Sequence, residues 1–281
     1  MLSATSIRAV IAVQQIQKLV ESRDLVWNLT LRELRAKYRR SFLGWTWSLL
    51  NPLTLVLTYG FVFGVVLGAD APVGDPSGLK NFALYLLTGV LPWGFFSLIA
   101  GQGLGALTSN AGLVRKVAFP RETLVVAQSL FSLIQFSIEM VVLNIVMVAF
   151  GVNVLVHLPA TLFLMVFLAI FATGIAFVLA AIGVYFRDLP YLWQVVVQIY
   201  FFMTPILYNQ DLLKDRVPSA VFSILTWNPM AVFVSGFRDS LYNASNPPGT
   251  HLVVMAFSAA VSLLIGLTIF GRLNRRFAEE L

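Results

Sequence analysis

The chain contains no cysteine, and only 11% of its 281 residues carry a charged side chain. Without thiols there is no disulfide framework, no Cys-ligated zinc, no iron–sulfur cluster and no thiol nucleophile. Water-facing domains usually carry about 25% charged residues, so a shortage of this size argues against a soluble enzyme. Histidine is almost as scarce: His157 and His251 are the two, both at the edges of apolar runs and without an acidic cluster beside them, so no metal site is expected. No Gly-x-x-x-x-Gly-Lys-Ser/Thr occurs, so the chain has no P-loop to cradle ATP phosphates. A Gly-x-Ser-x-Gly elbow is missing too, since Ser235-Gly236 lacks the first glycine. What remains is apolar: 58% of residues are hydrophobic and the mean hydropathy is +0.83. The pI of 9.8 comes from 19 basic residues spread over this apolar chain. Such a balance reads as membrane topology rather than as a nucleic-acid footprint.

A membrane-spanning helix needs roughly 20 mainly apolar residues. Six stretches qualify, at residues 45–68, 82–104, 123–150, 159–186, 191–207 and 251–270. Residues 1–44 hold no such run, so no cleavable signal peptide is expected there. Residues 208–250 are mixed, with runs at 220–226 and 230–241 that are too short to span and with Pro205, Pro218 and Pro229 interrupting them. Short re-entrant or interfacial helices suit that segment, because their backbone is satisfied internally or within protein. Fifteen of the 19 basic residues fall on the side of the N-terminal segment, the second and fourth loops and the tail; Lys80, Lys214, Arg216 and Arg238 fall on the other. By the positive-inside rule both termini are cytoplasmic. The expected organisation is an N-terminal segment (1–44), a six-span all-α transmembrane domain (45–271) and a cytoplasmic tail (272–281).

Within the N-terminal segment, Trp27, Leu31, Leu34, Tyr38 and Phe42 recur at helical spacing, with Arg32, Arg35, Arg39 and Arg40 largely off that stripe. Residues 24–42 therefore read as a basic amphipathic helix lying in the membrane interface among lipid headgroups. Its arginines suit a plain anchor as well as a receiver for a phosphate-bearing substrate. Glu139 is the one ionisable residue well inside a span; a structural role and a transport role both fit it. Trp45, Trp47, Trp93, Trp193 and Trp227 sit near span ends, as an interfacial belt does. Tyr59, Phe63, Tyr200, Phe201 and Phe202 lie deeper, where they either pack or offer flat faces to sugar rings. Gly101-Gln102-Gly103-Leu104-Gly105 closes an apolar span rather than following a strand, so it reads as close helix packing and not as a nucleotide fingerprint.

Several short runs are familiar. Arg35 to Gly44, then Trp45, Trp47 and Asn51-Pro52, resembles the approach to the first span of ABC-2-type permeases that export polysaccharides. Ser109-Asn110, Leu113 to Glu122, Phe186-Arg187-Asp188, Thr204 to Tyr208, Asn228-Pro229-Met230 and Phe237-Arg238-Asp239 are similar to that family's pattern, in order, from about residue 25 onward. The resemblance implies a non-enzymatic half-transporter. Two copies would pair, and two separate ATPase subunits, which bind the ATP and Mg, would dock from the cytoplasm of a bacterium. It also implies a coupling helix near residues 107–118, so that Leu113, Val114, Arg115, Lys116 and Phe119 meet the ATPase. The implied substrate is a polyprenyl-pyrophosphate-linked glycan such as O-antigen, teichoic acid or cell-wall galactan. Its pyrophosphate would meet Arg35, Arg39 and Arg40, and its sugars would pass Tyr59, Phe63, Tyr200, Phe201 and Phe202. Export of a drug or another lipid, or proton-coupled transport, are the alternatives.

Overall fold

A computed structural model describes residues 17, 19–38, 46–68, 70–210, 214 and 216–280, and all regular structure among them is helical. Four helices are long: α3 (Phe82–Gly105), α5 (Glu122–Ala149), α6 (Leu158–Gly183) and α10 (Gly249–Leu273), of 24, 28, 26 and 25 residues. At about 1.5 Å per residue each is longer than the roughly 30 Å hydrocarbon core. They match the expected second, third, fourth and sixth spans within a few residues at each end. By length and composition these four cross a membrane, or five helices do if one bent pair is counted as a span.

The first and fifth expected spans form shorter apolar helices. α2 (Trp47–Tyr59) runs on into a π-helical stretch, Gly60–Val66, through helical dihedrals at Gly60. α7 (Leu189–Met203) stops before the expected end at residue 207. Pro205 pushes the residue before it away from helical dihedrals, and Thr204 is extended at φ −96°, ψ 127°. Beyond it lie α8 (Ser219–Trp227) and α9 (Pro229–Phe237), the latter continuing as a π-helix, Arg238–Asn243. The two are bent by 65° at Asn228, whose side chain accepts from the Ala231 N–H at 2.9 Å while Pro229 opens the next helix. An Asn cap followed by Pro is a strong helix start, so the dipeptide ends one helix and begins another.

α6 lies at the centre of the packing, against α10 on one side and α3 on the other. Gly174 and Gly266 make the first contact, since a Cβ on either would overlap the other helix's backbone. Ser262 Oγ adds a 2.8 Å bond to the Phe171 carbonyl across the same seam. At the second contact a Cβ on Gly103 would stand 2.7 Å from Ala176 Cα. Small residues let backbones approach where lipid gives helices no hydrophobic reason to associate. Only Gly103 of the expected glycine cluster serves this way; Gly101 faces open space and Gly105 faces Ser109. α3 and α5 are joined by the stacked rings of Phe95 and Phe136, 4.4 Å apart, and by a 2.7 Å bond from Ser132 Oγ to Gln102.

Helix α1 (Arg23–Tyr38) packs along α5. Val26, Leu29, Thr30 and Leu34 are buried there, with Thr30 Oγ1 donating to the Val26 and Ala127 carbonyls at 2.8 and 3.3 Å. Of the expected stripe, Leu34 is buried, Leu31 half-buried and Trp27 53% exposed; Phe42 lies outside the described residues. The protein-facing side is therefore offset around the helix from the expected one. Trp27 is left on a face turned away from the fold.

Candidate functional site

α3 carries the chain from one end of the bundle to the other, and its two ends meet different polar constellations. At the Gly105 end, a 3-10 turn (Thr108–Asn110) leads into the short helix α4 (Ala111–Lys116). Val114 is buried, Leu113 and Phe119 are half-buried, and Arg115 and Lys116 are exposed. The apolar residues thus hold the helix to the body while both cations face away from it. Arg32 Nη2 donates to Asn110 Oδ1 at 3.0 Å and to Glu33 at 2.7 Å, which ties α1 to this turn. The terminal helix α11 (Phe277–Glu280) packs against α4. Asn274 binds the nearby Arg121 through its carbonyl and side chain and donates to Glu122 at 3.3 Å. Arg35 is exposed on α1, and Arg39 and Arg40 lie outside the described residues.

At the other end of α3 a buried arginine, Arg238, joins three elements. Its Nη1 and Nη2 donate to the carbonyls of Pro205 and Ile206, both at 2.6 Å, where the chain leaves α7. Its guanidinium lies 3.9 Å from the centre of the Tyr85 ring on α3. A planar fork bonded to carbonyls and stacked on an aromatic face is a task for Arg rather than Lys. Tyr85 donates to the Tyr208 carbonyl at 3.2 Å. Burial raises the Tyr208 hydroxyl above its ordinary value against the opposing charge of Arg238, and this hydroxyl donates to the Phe202 carbonyl at 2.9 Å. The loop before α3 closes over the π-helix: Ser77 Oγ donates to the Tyr242 carbonyl at 2.6 Å, and the Tyr242 hydroxyl to the Pro72 carbonyl at 2.6 Å.

Between the two ends, the five aromatics expected along a sugar path fall into two groups. Tyr59 and Phe63 meet edge to face at 6.0 Å, and Phe63 lies 5.3 Å from Phe82. Tyr200 and Phe201 pack on Trp93 at 5.4 and 5.5 Å, and the Tyr200 hydroxyl accepts from the Met230 N–H at 3.3 Å. Phe202 is 59% exposed. Among the described residues no ring pair joins the two groups within one copy. Glu139 lines a cavity of about 250 Å³ between α2, α3 and α5, with Ser132 and Gln135 beside it.

The family model described as "ABC-2 type transporter" matches residues 24–242, most of the chain. The chain belongs to the ABC-2 type transporter family. This ABC-2 chain is 30% identical over 269 residues to the O-antigen export system permease protein RfbA of Myxococcus xanthus, covering 96% of this chain and 100% of that one. It is 28% identical over 264 residues to the RfbA of Klebsiella pneumoniae, covering 92% and 95%. The polysialic acid transport protein KpsM of Escherichia coli is 26% identical over 246 residues, covering 86% and 90%. As a member of a family of transport permease subunits, the chain is a multi-pass membrane protein and not itself an enzyme.

Two features of this ABC-2 permease have roles that only the structure reveals. Gln194 and Gln198 are exposed on α7, one helical turn apart, in a helix with no buried residue. Their i, i+4 spacing inside an apolar run was the available signal. Arg238 was legible as one of four cations on the arginine-poor side and as part of Phe237-Arg238-Asp239, but its structural role was not, because its partners are carbonyls more than thirty positions away.

Proposed function

We propose that this chain is the transmembrane permease subunit of an ABC transporter that exports a polyprenyl-pyrophosphate-linked polysaccharide across the cytoplasmic membrane of a bacterium. ATP, with Mg, is bound and hydrolysed by two separate ATPase subunits. The full-length similarity to O-antigen export permeases favours a glycan over a drug or another lipid, and ATP over a proton gradient. Among glycans it favours the O-antigen class over teichoic acid or galactan.

Gln194 and Gln198 carry the reading from family to mechanism. An amide left without partners in hydrocarbon costs roughly 2–7 kcal/mol, so a helix bearing two exposed glutamines does not turn that face to lipid. A second copy of the chain, facing this one across α7 and α2, covers the face and encloses a polar path beside Phe202. Counting α2 and α7 gives six spans, with α8 and α9 as a re-entrant hairpin. The excess of Lys and Arg on one side puts the termini and α4 in the cytoplasm. There α4 seats in the ATPase through Leu113 to Phe119, while α1 lies at the interface and presents Arg35 to the pyrophosphate, to which Arg39 and Arg40, next in sequence after α1, also bind.

The test replaces Gln194 and Gln198 together by Leu. Export of surface polysaccharide should fall at least tenfold, with lipid-linked glycan accumulating inside and ATPase co-purification intact. Asn at both positions should keep most export. Full export by the double-Leu variant would refute the path.

A further inference from the structure

On the proposed outer side, the π-helix, the start of α3 and the chain leaving α7 enclose a cavity of about 280 Å³. That lies near the lower end of small-ligand sites, roughly 300 Å³, which suits one ring rather than an oligomer. Its lining is unlike the rest of the fold. Asp75, Gln210, Asp239 and Asn243 face it, together with Tyr85 and Tyr242. Carboxylates and amides offer acceptors and paired donors in one plane, the arrangement that vicinal hydroxyls satisfy. Tyr85 and Tyr242 are buried behind this lining, the Tyr85 face being taken by the Arg238 guanidinium, so recognition rests on the polar groups.

The wall is held in place. Asp239 Oδ1 accepts from Asn243 Nδ2 at 3.0 Å, and its backbone carbonyl accepts from the Ser245 N–H at 2.8 Å. The Tyr242 hydroxyl accepts from the Asn81 N–H at 3.2 Å. A Cβ on Gly74 would stand 2.8 Å from the Tyr242 carbonyl, so the loop sits flush on the π-helix. Single-turn π segments inside helices often mark functional positions, and a lining fixed beforehand lowers the ordering cost of a ligand.

The charge around the cavity selects among sugars. Arg238 also borders it, but two of its donors are committed to the Pro205 and Ile206 carbonyls. Asp75 and Asp239 leave the lining net negative, which disfavours a uronic or other acidic sugar. We propose that this cavity is an exit-side carbohydrate subsite that holds one neutral pyranose ring of the emerging glycan. The subsite rests on the permease reading and adds to it a place and a sugar class.

The test uses the whole chain with its ATPase partner in lipid nanodiscs. Saturation-transfer NMR reads the methyl pyranosides of glucose, galactose, mannose and rhamnose, with methyl glucuronoside as the charged probe. At least one neutral glycoside should bind with a dissociation constant of about 1 mM, the scale of a ligand with few atoms. Methyl glucuronoside should bind at least tenfold more weakly. Asp239→Asn and Gln210→Ala should each weaken the neutral glycoside at least tenfold, with an unchanged melting temperature for Gln210→Ala as the folding control. Silence from all four neutral probes, equal binding by Gln210→Ala and the parent chain, or preference for the glucuronoside would overturn the subsite. So would a saturable response to calcium or magnesium without glycoside binding, which marks a cation niche. Export of the native lipid-linked glycan by vesicles made from the same preparation separates the two readings. Export without glycoside binding removes the subsite alone. Absence of export removes the permease reading, and the exit role of the cavity with it.

Discussion

Replacing Arg238 by Met is expected to loosen the junction between α7 and the π-helix without unfolding the bundle. The guanidinium makes two 2.6 Å bonds to carbonyls and lies 3.9 Å from the Tyr85 ring centre. Each charge-assisted bond contributes roughly 1.5–3 kcal/mol and the ring contact about 0.5–2 kcal/mol. Gross loss is thus about 4–8 kcal/mol. Removing a buried cation recovers several kcal/mol of its desolvation cost, so the net loss is about 3 kcal/mol. Local opening should then become on the order of 100-fold more frequent. Hydrogen exchange read by mass spectrometry should show it in the amides of residues 205–210 and 238–243, while α6 and α10 keep their protection. Arg238→Lys retains charge and loses the fork, and should fall between the two, about tenfold above the parent. Exchange in Arg238→Met within threefold of the parent would show that the contacts at Pro205, Ile206 and Tyr85 do not hold this end together. Acceleration spread equally over α6 and α10 would refute the local reading in favour of global destabilisation.

Arg115→Glu with Lys116→Glu should abolish substrate-stimulated ATP hydrolysis in the assembled complex, because both cations face away from the body; unchanged stimulation would remove α4 as the coupling element. Arg39→Lys with Arg40→Lys should slow export severalfold while assembly persists if the forks grip a pyrophosphate, and normal export would leave these residues as anchors. Phe202→Ala should stop export of long chains with basal ATP hydrolysis intact, since its ring is exposed. Tyr200→Ala should instead lower the melting temperature, because that ring packs on Trp93 and caps the start of α9.

Some of the site was readable residue by residue. Asn228-Pro229 announces a helix start through dihedrals and donors that belong to the residues themselves; Thr204-Pro205 ends a helix by the same rule, although hydropathy alone carries the expected fifth span on to residue 207. The short helix at residues 107–118 was expected through the family resemblance, and the structure shows Val114 as the residue that holds it down. Other parts were not readable in this way. The aromatic group of α2 and that of α7 looked like one wall in sequence, yet Tyr200 and Phe201 are packed against Trp93 within the same copy. A phenylalanine that packs and one that lines a path have the same side chain, so only their neighbours tell them apart.

The sequence by itself determined the four long helices, the helical character of the short runs after Pro205 and the lack of any nucleotide-binding motif. Those features are local, because in lipid each backbone N–H and C=O must be satisfied within its own helix, and hydropathy records that requirement. Tertiary structure alone decided how each helix is turned about its axis. An apolar helix is alike on every side, so composition does not place Gly174 against Gly266; on the amphipathic α1 the apolar residues spread widely enough that the pattern does not choose between Trp27 and Val26 as the face laid on α5. The same holds for Arg238. Its cost of burial is met by carbonyls freed where α7 breaks, and that match between a cation and a broken helix exists only once the chain has folded.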